Sequence, residues 1–423
     1  MKHKIKRALS HPLISGSSIV LVGSFLANIF NYIFNLLLGG RQLLSVSDYG
    51  LYMALTSIFG LFATFSIAFS GIFAKFSAKY YAAGDLKASG ILVKEGFKFI
   101  CVFSLVVLVI LSFLIPVLLS FLHINDYKLV VLVILSIITS ILSSLPLGVL
   151  QGEMRFYLLT FITGISPIIK IILGVLMIIL GLKIFGVMIA IFLSIIIPYI
   201  FITYYIFNKY KISNLNTVNA GFFLKELKDY SLKFFLASFG MIFISYADII
   251  LVRHFFDPVS SGHYAALSLM GKVIFYITSP IYMVFFPLVA QKKEKKEKLF
   301  NTLILAVAIV FLVSSGMSFV YFLFPGIILK IFFPAKDYLI LSSFLGPFSL
   351  YILVFSMANL FCSFLLSIGK TGIYKINLFA IGFLIFLVSF FHQSLYQIIG
   401  VLFFISFLLL LMLLVYYYYH GRD

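Results

Sequence analysis

The sequence predicts an all-α, polytopic membrane protein of about twelve transmembrane helices, and three observations lead there. First, 63% of the 423 residues are hydrophobic and only 10% are charged, with a mean hydropathy of +1.18. A soluble domain is about one quarter charged, so this chain carries too little polar surface for water. Second, apolar runs long enough to cross about 30 Å of hydrocarbon at about 1.5 Å per residue follow one another with short breaks. They are continuous rather than alternating, which favours helices over a barrel. Third, the basic residues segregate to one side of the chain so folded.

In order, the runs place spans at 14–38, 49–70, 97–121, 129–150, 158–180 and 184–207, then at 234–256, 264–287, 299–324, 339–366, 372–391 and 396–419. The basic stretch Met1 to Arg7 precedes a first run too long for a signal-peptide core and without an A-x-A site, so that run is expected to be retained as a span. With twelve spans, 23 of the 31 Lys and Arg residues fall on the side of the N-terminus, most densely at Lys292, Lys293, Lys295, Lys296 and Lys298. The opposite loops hold six: Arg41, Lys128, Lys183, Arg253, Lys330 and Lys336. Both termini are therefore expected in the cytoplasm, and the net charge of +18 reads as topology rather than as a nucleic-acid footprint. The run Tyr416 to Tyr419 reads as an interfacial aromatic belt in a chain with no Trp.

The domain organisation expected is a cytoplasmic N-terminus (1–13), a first six-span lobe (14–207), a cytoplasmic linker (208–233), a second six-span lobe (234–419) and a short cytoplasmic C-terminus (420–423). The halves repeat. Arg41 precedes Gly50-Leu51-Tyr52-Met53-Ala54-Leu55 by nine residues, and Arg253 precedes Gly262-His263-Tyr264-Ala265-Ala266-Leu267 by the same interval, an offset of 212. Six spans per half give both copies one orientation, which is a parallel repeat about an axis along the membrane normal.

Polar groups inside apolar spans are costly and mark candidate sites. Ser17, Ser24, Asn28, Asn31 and Asn35 share one face of the first span, within an arc of about 60° at 100° per residue. Those asparagines either line a cavity or bond neighbouring helices. The fifth span carries Thr163, Ser166, Lys170 and Gly174, with Pro167 between them, and Lys170 falls near the bilayer midplane. The seventh carries Ser231, Ser238, Ser245 and Asp248; the eighth carries Ser268, Lys272, Tyr276 and Ser279. Asp248 and Lys272 lie at similar depth and could pair; alternatively Asp248 binds a coupling proton or sodium ion. Arg41 and Arg253 sit near the outer interface, as helix anchors or in a shared role.

Catalytic classes find no support. There is no HExxH, no GxxxxGK[ST], no carboxylate pair in an outer loop and no metal-ligand cluster, and the outer loops are short. Cys101 and Cys362 both sit inside apolar runs, which argues against a disulfide framework. The chain reads as non-enzymatic and without a resident cofactor.

The stretch GRQLLSVSDYGLYMAL resembles the Arg-x-Leu-Leu…Tyr-Gly-Leu-Tyr element of the polysaccharide transporters, the O-antigen-type oligosaccharide flippases of the MOP superfamily. KFSAKYYAAGDLKASG, GVLQGEMRF and ADIILVRHFFDPVSSGHYAALSLMGKV…PIYMVFFPLVA resemble further stretches of that family, in order along nearly the whole chain. The resemblance implies two six-helix lobes around a central cavity, a MATE-like plan working by alternating access. It implies a flippase that carries an undecaprenyl-pyrophosphate-linked oligosaccharide across the bacterial inner membrane for surface polysaccharide assembly. Lys170, Lys272, Arg41 and Arg253 would then meet the pyrophosphate, and Asn28, Asn31 and Asn35 the sugar. Partners would be the lipid-linked oligosaccharide, bilayer lipids and other polysaccharide-assembly membrane proteins. The competing readings are a cation-coupled small-molecule exporter of the same superfamily, which calls for a dominant acidic cavity, and a membrane-bound glycan polymerase, ligase or glycosyltransferase, which calls for a long catalytic outer loop.

Overall fold

Runs of Leu, Ile, Val and Phe leave the backbone no water to bond in hydrocarbon, so each run must close its own hydrogen bonds as a helix. The computed structural model describes residues 12–210 and 230–420, with side chains of the first helix from Val22 onward. Residues 1–11, most of the linker expected at 208–233 and residues 421–423 lie outside the described residues. Among the described residues there are twelve helices long and apolar enough to cross a membrane, one for each predicted span, and no strand.

The first half contains α1 (Pro12–Asn35), α2 (Val46–Ala82), α3 (Leu86–Phe113), a short α4 (Ile115–Leu122), α5 (Tyr127–Gly152), α6 (Phe156–Ile179) and α7 (Lys183–Tyr210). The second half contains α8 (Tyr230–Phe255), α9 (Pro258–Glu294), α10 (Phe300–Leu323), a short α11 (Pro325–Phe332), α12 (Ser342–Ser367), α13 (Tyr374–Phe390) and α14 (Leu395–His420). Several boundaries differ from expectation. Helices α2 and α9 run past their spans to Ala82 and Glu294, because Lys, Ala and Tyr continue a helix once the apolar run ends. The third expected span, 97–121, is broken at Leu114, two residues before Pro116, which takes its place in the first turn of the short helix that follows. The first span ends in a π-helical turn at Leu36–Gly40, where the Asn35 side chain donates to the Asn31 carbonyl at 2.7 Å.

The contacts divide the chain into two compact units. One comprises residues 1–37 and 58–225; the other comprises 38–57 and 226–423. Within the first, α1 packs on α6, α6 on α7, α7 on α5 and α5 on α3. Within the second, α8 packs on α13, α13 on α14, α14 on α12 and α12 on α10. The two packing orders are the same when spans are matched six apart. The breaks at Leu114 and Phe324, each followed by an eight-residue helix with proline in its first turn, match in the same way.

α5 is among the most buried spans. Its polar residues survive there because each closes on its own helix: Ser136 to the Leu132 carbonyl at 2.7 Å, Thr139 to Leu135 at 2.8 Å and Ser144 to Ile141 at 2.6 Å. Its GxxxG pair, Gly148 and Gly152, lies against the backbone of α2; a Cβ on Gly148 would come within 2.5 Å of the Ser70 carbonyl oxygen.

Outside the spans, Asp257 caps α9 by accepting from the amides of Val259 at 3.0 Å and Ser260 at 3.1 Å. A hydrogen bond from the Ser260 side chain, together with those from the amides, holds its carboxyl below the usual range. Asp257→Ala is expected to lower stability by about 1 kcal/mol. In the native protein the cap's contribution is fully present above the ordinary carboxylate pKa and disappears as pH falls through the lowered one. Thermal unfolding in detergent across acid pH measures both.

Candidate functional site

A lysine in the middle of an apolar helix needs oxygen atoms around its ammonium, or it will not stay charged. Lys170 finds them on the neighbouring helix. Within the first unit α6 packs on α1, and the Lys170 Nζ donates to the Asn31 Oδ1. It also lies 5.0 Å from the centre of the Phe34 ring. Gly174, one turn further along, leaves the space that this ring fills. Ser166, one turn earlier, donates to the Ser194 carbonyl of α7 and fixes α6 between its two neighbours. Among the described residues no carboxylate lies within ion-pair distance of Lys170, so its charge meets a neutral amide and an aromatic face only.

The asparagine stripe of α1 is divided by this packing. Asn31 and Asn35 are partly buried and linked through the helix backbone, whereas Asn28 is exposed. The side chain of Ser17, at the head of the same stripe, lies outside the described residues, as does that of Ser231.

In the second unit the charges balance. Asp248 of α8 and Lys272 of α9 meet at 3.2 Å, with the carboxylate wholly buried and the ammonium nearly so. The second carboxylate oxygen accepts from Tyr264 and Ser268, each at 3.2 Å. Lys272 also donates to the Ser245 carbonyl at 2.6 Å and lies 5.8 Å from the Tyr246 ring centre. Tyr264, Ser268 and Lys272 are four residues apart, so one face of α9 supplies every donor. That spacing is legible in the sequence; that the Tyr264 hydroxyl reaches Asp248 depends on how α9 turns against α8. Such a pair is fully satisfied and carries no net charge.

The repeat-matched arginines have different settings. Arg41 is exposed just after the π-helical turn, while Arg253 is buried near the end of α8, within electrostatic reach of Asp48.

A further cluster, at the ends of α5 and α7, was not foreseen. Glu153 is buried and accepts from Lys209, from the Tyr210 hydroxyl and from Arg155 at 3.0 Å. Arg155 in turn donates to the Tyr205 hydroxyl. Its α7 members lie 50 or more residues from Glu153 and Arg155, so the sequence marks only those two, through the family-like stretch that contains them. With three donors on one carboxylate, the cluster ties α5 to α7. Glu153→Gln is expected to lower the stability of the solubilised protein by about 1.5–3 kcal/mol, read as a fall in its unfolding temperature.

No group of His, Cys, Asp and Glu that could hold a metal ion occurs among the described residues.

Residues 13–293 match a protein family described as polysaccharide biosynthesis protein. No curated protein matches the sequence. Among solved structures, the chain is similar to a multidrug resistance MATE family transporter of the MOP superfamily in an inward-facing conformation, with a TM-score of 0.71, 16% identity and 93% of each chain covered. It is similar to the eukaryotic MATE transporter AtDTX14, with a TM-score of 0.67 and 14% identity over 95% of this chain and 93% of that one. It is also similar to a MOP superfamily transporter from Pyrococcus furiosus whose binding pocket is described as having reverse polarity, with a TM-score of 0.56 and 13% identity over 96% and 94%. At these identities the likeness is one of fold.

Proposed function

This chain belongs to the polysaccharide biosynthesis protein family, and from that premise we propose that it is a flippase for a lipid-linked oligosaccharide with an anionic pyrophosphate head. The observation that carries the reading is Lys170, a cation held within an apolar bundle against a neutral amide rather than a carboxylate. A pyrophosphate cannot cross hydrocarbon unless something replaces its hydration, and an ammonium free of a carboxylate partner is available to do so. Asn31, already bonded to that ammonium, is placed to pass to a sugar or phosphate oxygen when the lysine changes partner. Lys272 fits this role less well, because Asp248 holds it. As a lysine, Lys170 would act as a point charge rather than a bidentate fork.

In this reading the protein resides in the bacterial inner membrane with both termini cytoplasmic, and works by alternating access while the lipid tail stays in the bilayer. Its lobes are 14–207 and 234–419, joined by the linker at 208–233. A second reading, a cation-coupled exporter of small cationic compounds, draws on the MATE fold and on the buried Asp248. That carboxylate already has Lys272, Tyr264 and Ser268 as donors, which leaves little for a cationic substrate.

The test is complementation of a bacterial strain lacking an oligosaccharide flippase, scored by surface polysaccharide. Rescue supports the proposal. Failure to rescue, together with a gain in resistance to cationic dyes, would favour the exporter.

A further inference from the structure

Tyr276 is out of place for a membrane tyrosine. Such residues gather at the interface, where the ring meets acyl chains and the hydroxyl meets water. This one lies about twelve residues into the eighth span, roughly 18 Å from its outer end and hence near the bilayer midplane. There it is 45% exposed, and its hydroxyl has no hydrogen-bond partner among the described residues. A phenol turned to hydrocarbon at that depth would leave the hydroxyl unsatisfied, which is costly.

The face of α9 that carries Tyr276 shows where the open surface begins. Tyr264, Ser268, Lys272 and Tyr276 follow at intervals of four, with exposures of 0%, 0%, 7% and 45%. The face is sealed as far as the Asp248–Lys272 pair and opens one turn beyond it. Polar groups surround the opening. Tyr246 of α8 is partly exposed, with its ring centre 5.8 Å from the Lys272 Nζ, and lies within electrostatic reach of Tyr276 and Asp248. Tyr52, on the start of α2 that belongs to the same unit, is also within electrostatic reach of Tyr276. Ser279, partly exposed, donates to the Tyr276 carbonyl at 2.9 Å, and its oxygen can still accept.

These groups define a chemistry different from that of Lys170. Asp248 and Lys272 cancel each other, so this opening has no net charge with which to hold an anion or a cation. It offers aromatic faces and hydroxyls instead. A sugar ring is the complementary object, with an apolar C–H face to lie on a phenol ring and a rim of hydroxyls that donate and accept. Tyrosine suits the task because it is large, rigid and amphipathic, and loses little conformational freedom on binding.

We propose that Tyr276, with Tyr246 beside it, forms a platform in the second unit on which one neutral sugar ring of the carried oligosaccharide stacks. The proposal rests on the flippase reading above and deepens it: Lys170 meets the anionic head, and the phenols meet the glycan.

The experiment measures binding to the full chain in a sugar-free detergent with two probes. One is undecaprenyl pyrophosphate alone; the other is undecaprenyl pyrophosphate carrying the oligosaccharide of the strain used for complementation. The unaltered protein should bind the glycan-bearing lipid about five- to tenfold more tightly. Tyr276→Ala, at a half-exposed position, should remove that preference and leave the affinity for the bare lipid unchanged, while Tyr276→Phe should keep most of it. Lys170→Met should weaken both lipids alike. Because the chain has no Trp, Tyr276→Trp places a single fluorophore on the platform, and its emission should shift with the glycan-bearing lipid only. A preference that persists in Tyr276→Ala, or an equal emission change with both lipids, overturns the platform and leaves the flippase reading standing. So does an unaltered protein that binds both lipids equally. Binding of neither lipid removes the flippase reading and the platform together.

Discussion

Lys170→Met is expected to abolish rescue of a flippase-deficient strain while making the protein more stable. The two halves of that result have different causes. Holding a lysine at the centre of an apolar helix costs about 2.5–3.5 kcal/mol on insertion scales, and the Asn31 amide returns only part of it. Methionine has a similar length and no charge, so it should relieve that cost and raise the unfolding temperature in detergent. Transport, however, loses a charge-assisted contact to phosphate of about 1.5–3 kcal/mol, or roughly ten- to a hundredfold in the affinity for the anionic head. A lysine that served only to join α1 to α6 would give the opposite sign for stability. Lys170→Arg, which keeps the charge, should restore transport at least in part. If the methionine variant transports normally, the role assigned to Lys170 fails.

The Asp248–Lys272 pair should behave in the reverse manner. Lys272→Met alone leaves a carboxylate with no counter-charge in a site of 0% side-chain exposure, and is expected to cost about 3–5 kcal/mol. Adding Asp248→Asn removes the stranded charge while keeping oxygen and nitrogen for Tyr264 and Ser268, so the double variant should recover most of that loss. The measurement is a double-mutant cycle on thermal or denaturant unfolding, with complementation scored for all three variants. A double variant that folds and transports identifies the pair as structural. One that folds and does not transport would return Lys272 to the pyrophosphate or Asp248 to ion coupling.

These two lysines show how far sequence reasoning reached. Both stand out because a charge within an apolar run is rare, and depth along the helix follows from counting residues. What separates them is the neighbouring helix. Asp248 is 24 residues from Lys272 and just across a hairpin, so their meeting could be anticipated. Asn31 is 139 residues from Lys170, and nothing local announces that α1 lies against α6. Glu153 and Lys209 illustrate the same limit, as does Gly50 against Gly262, whose kinship is visible in the repeat but whose contact is not. Helical periodicity places all members of the α1 stripe on one face and does not separate cavity lining from bonding to a neighbouring helix. Packing against α6 takes in Asn31 and leaves Asn28 exposed.

The sequence by itself determined that the chain crosses a membrane twelve times and that its halves are alike. Hydrocarbon thickness and backbone hydrogen bonding act on each run separately, so no knowledge of neighbours is required. The tertiary structure decided which lysine meets a carboxylate and which meets only a neutral amide and an aromatic ring. Pairing energy depends on a few ångströms between helices distant in the chain.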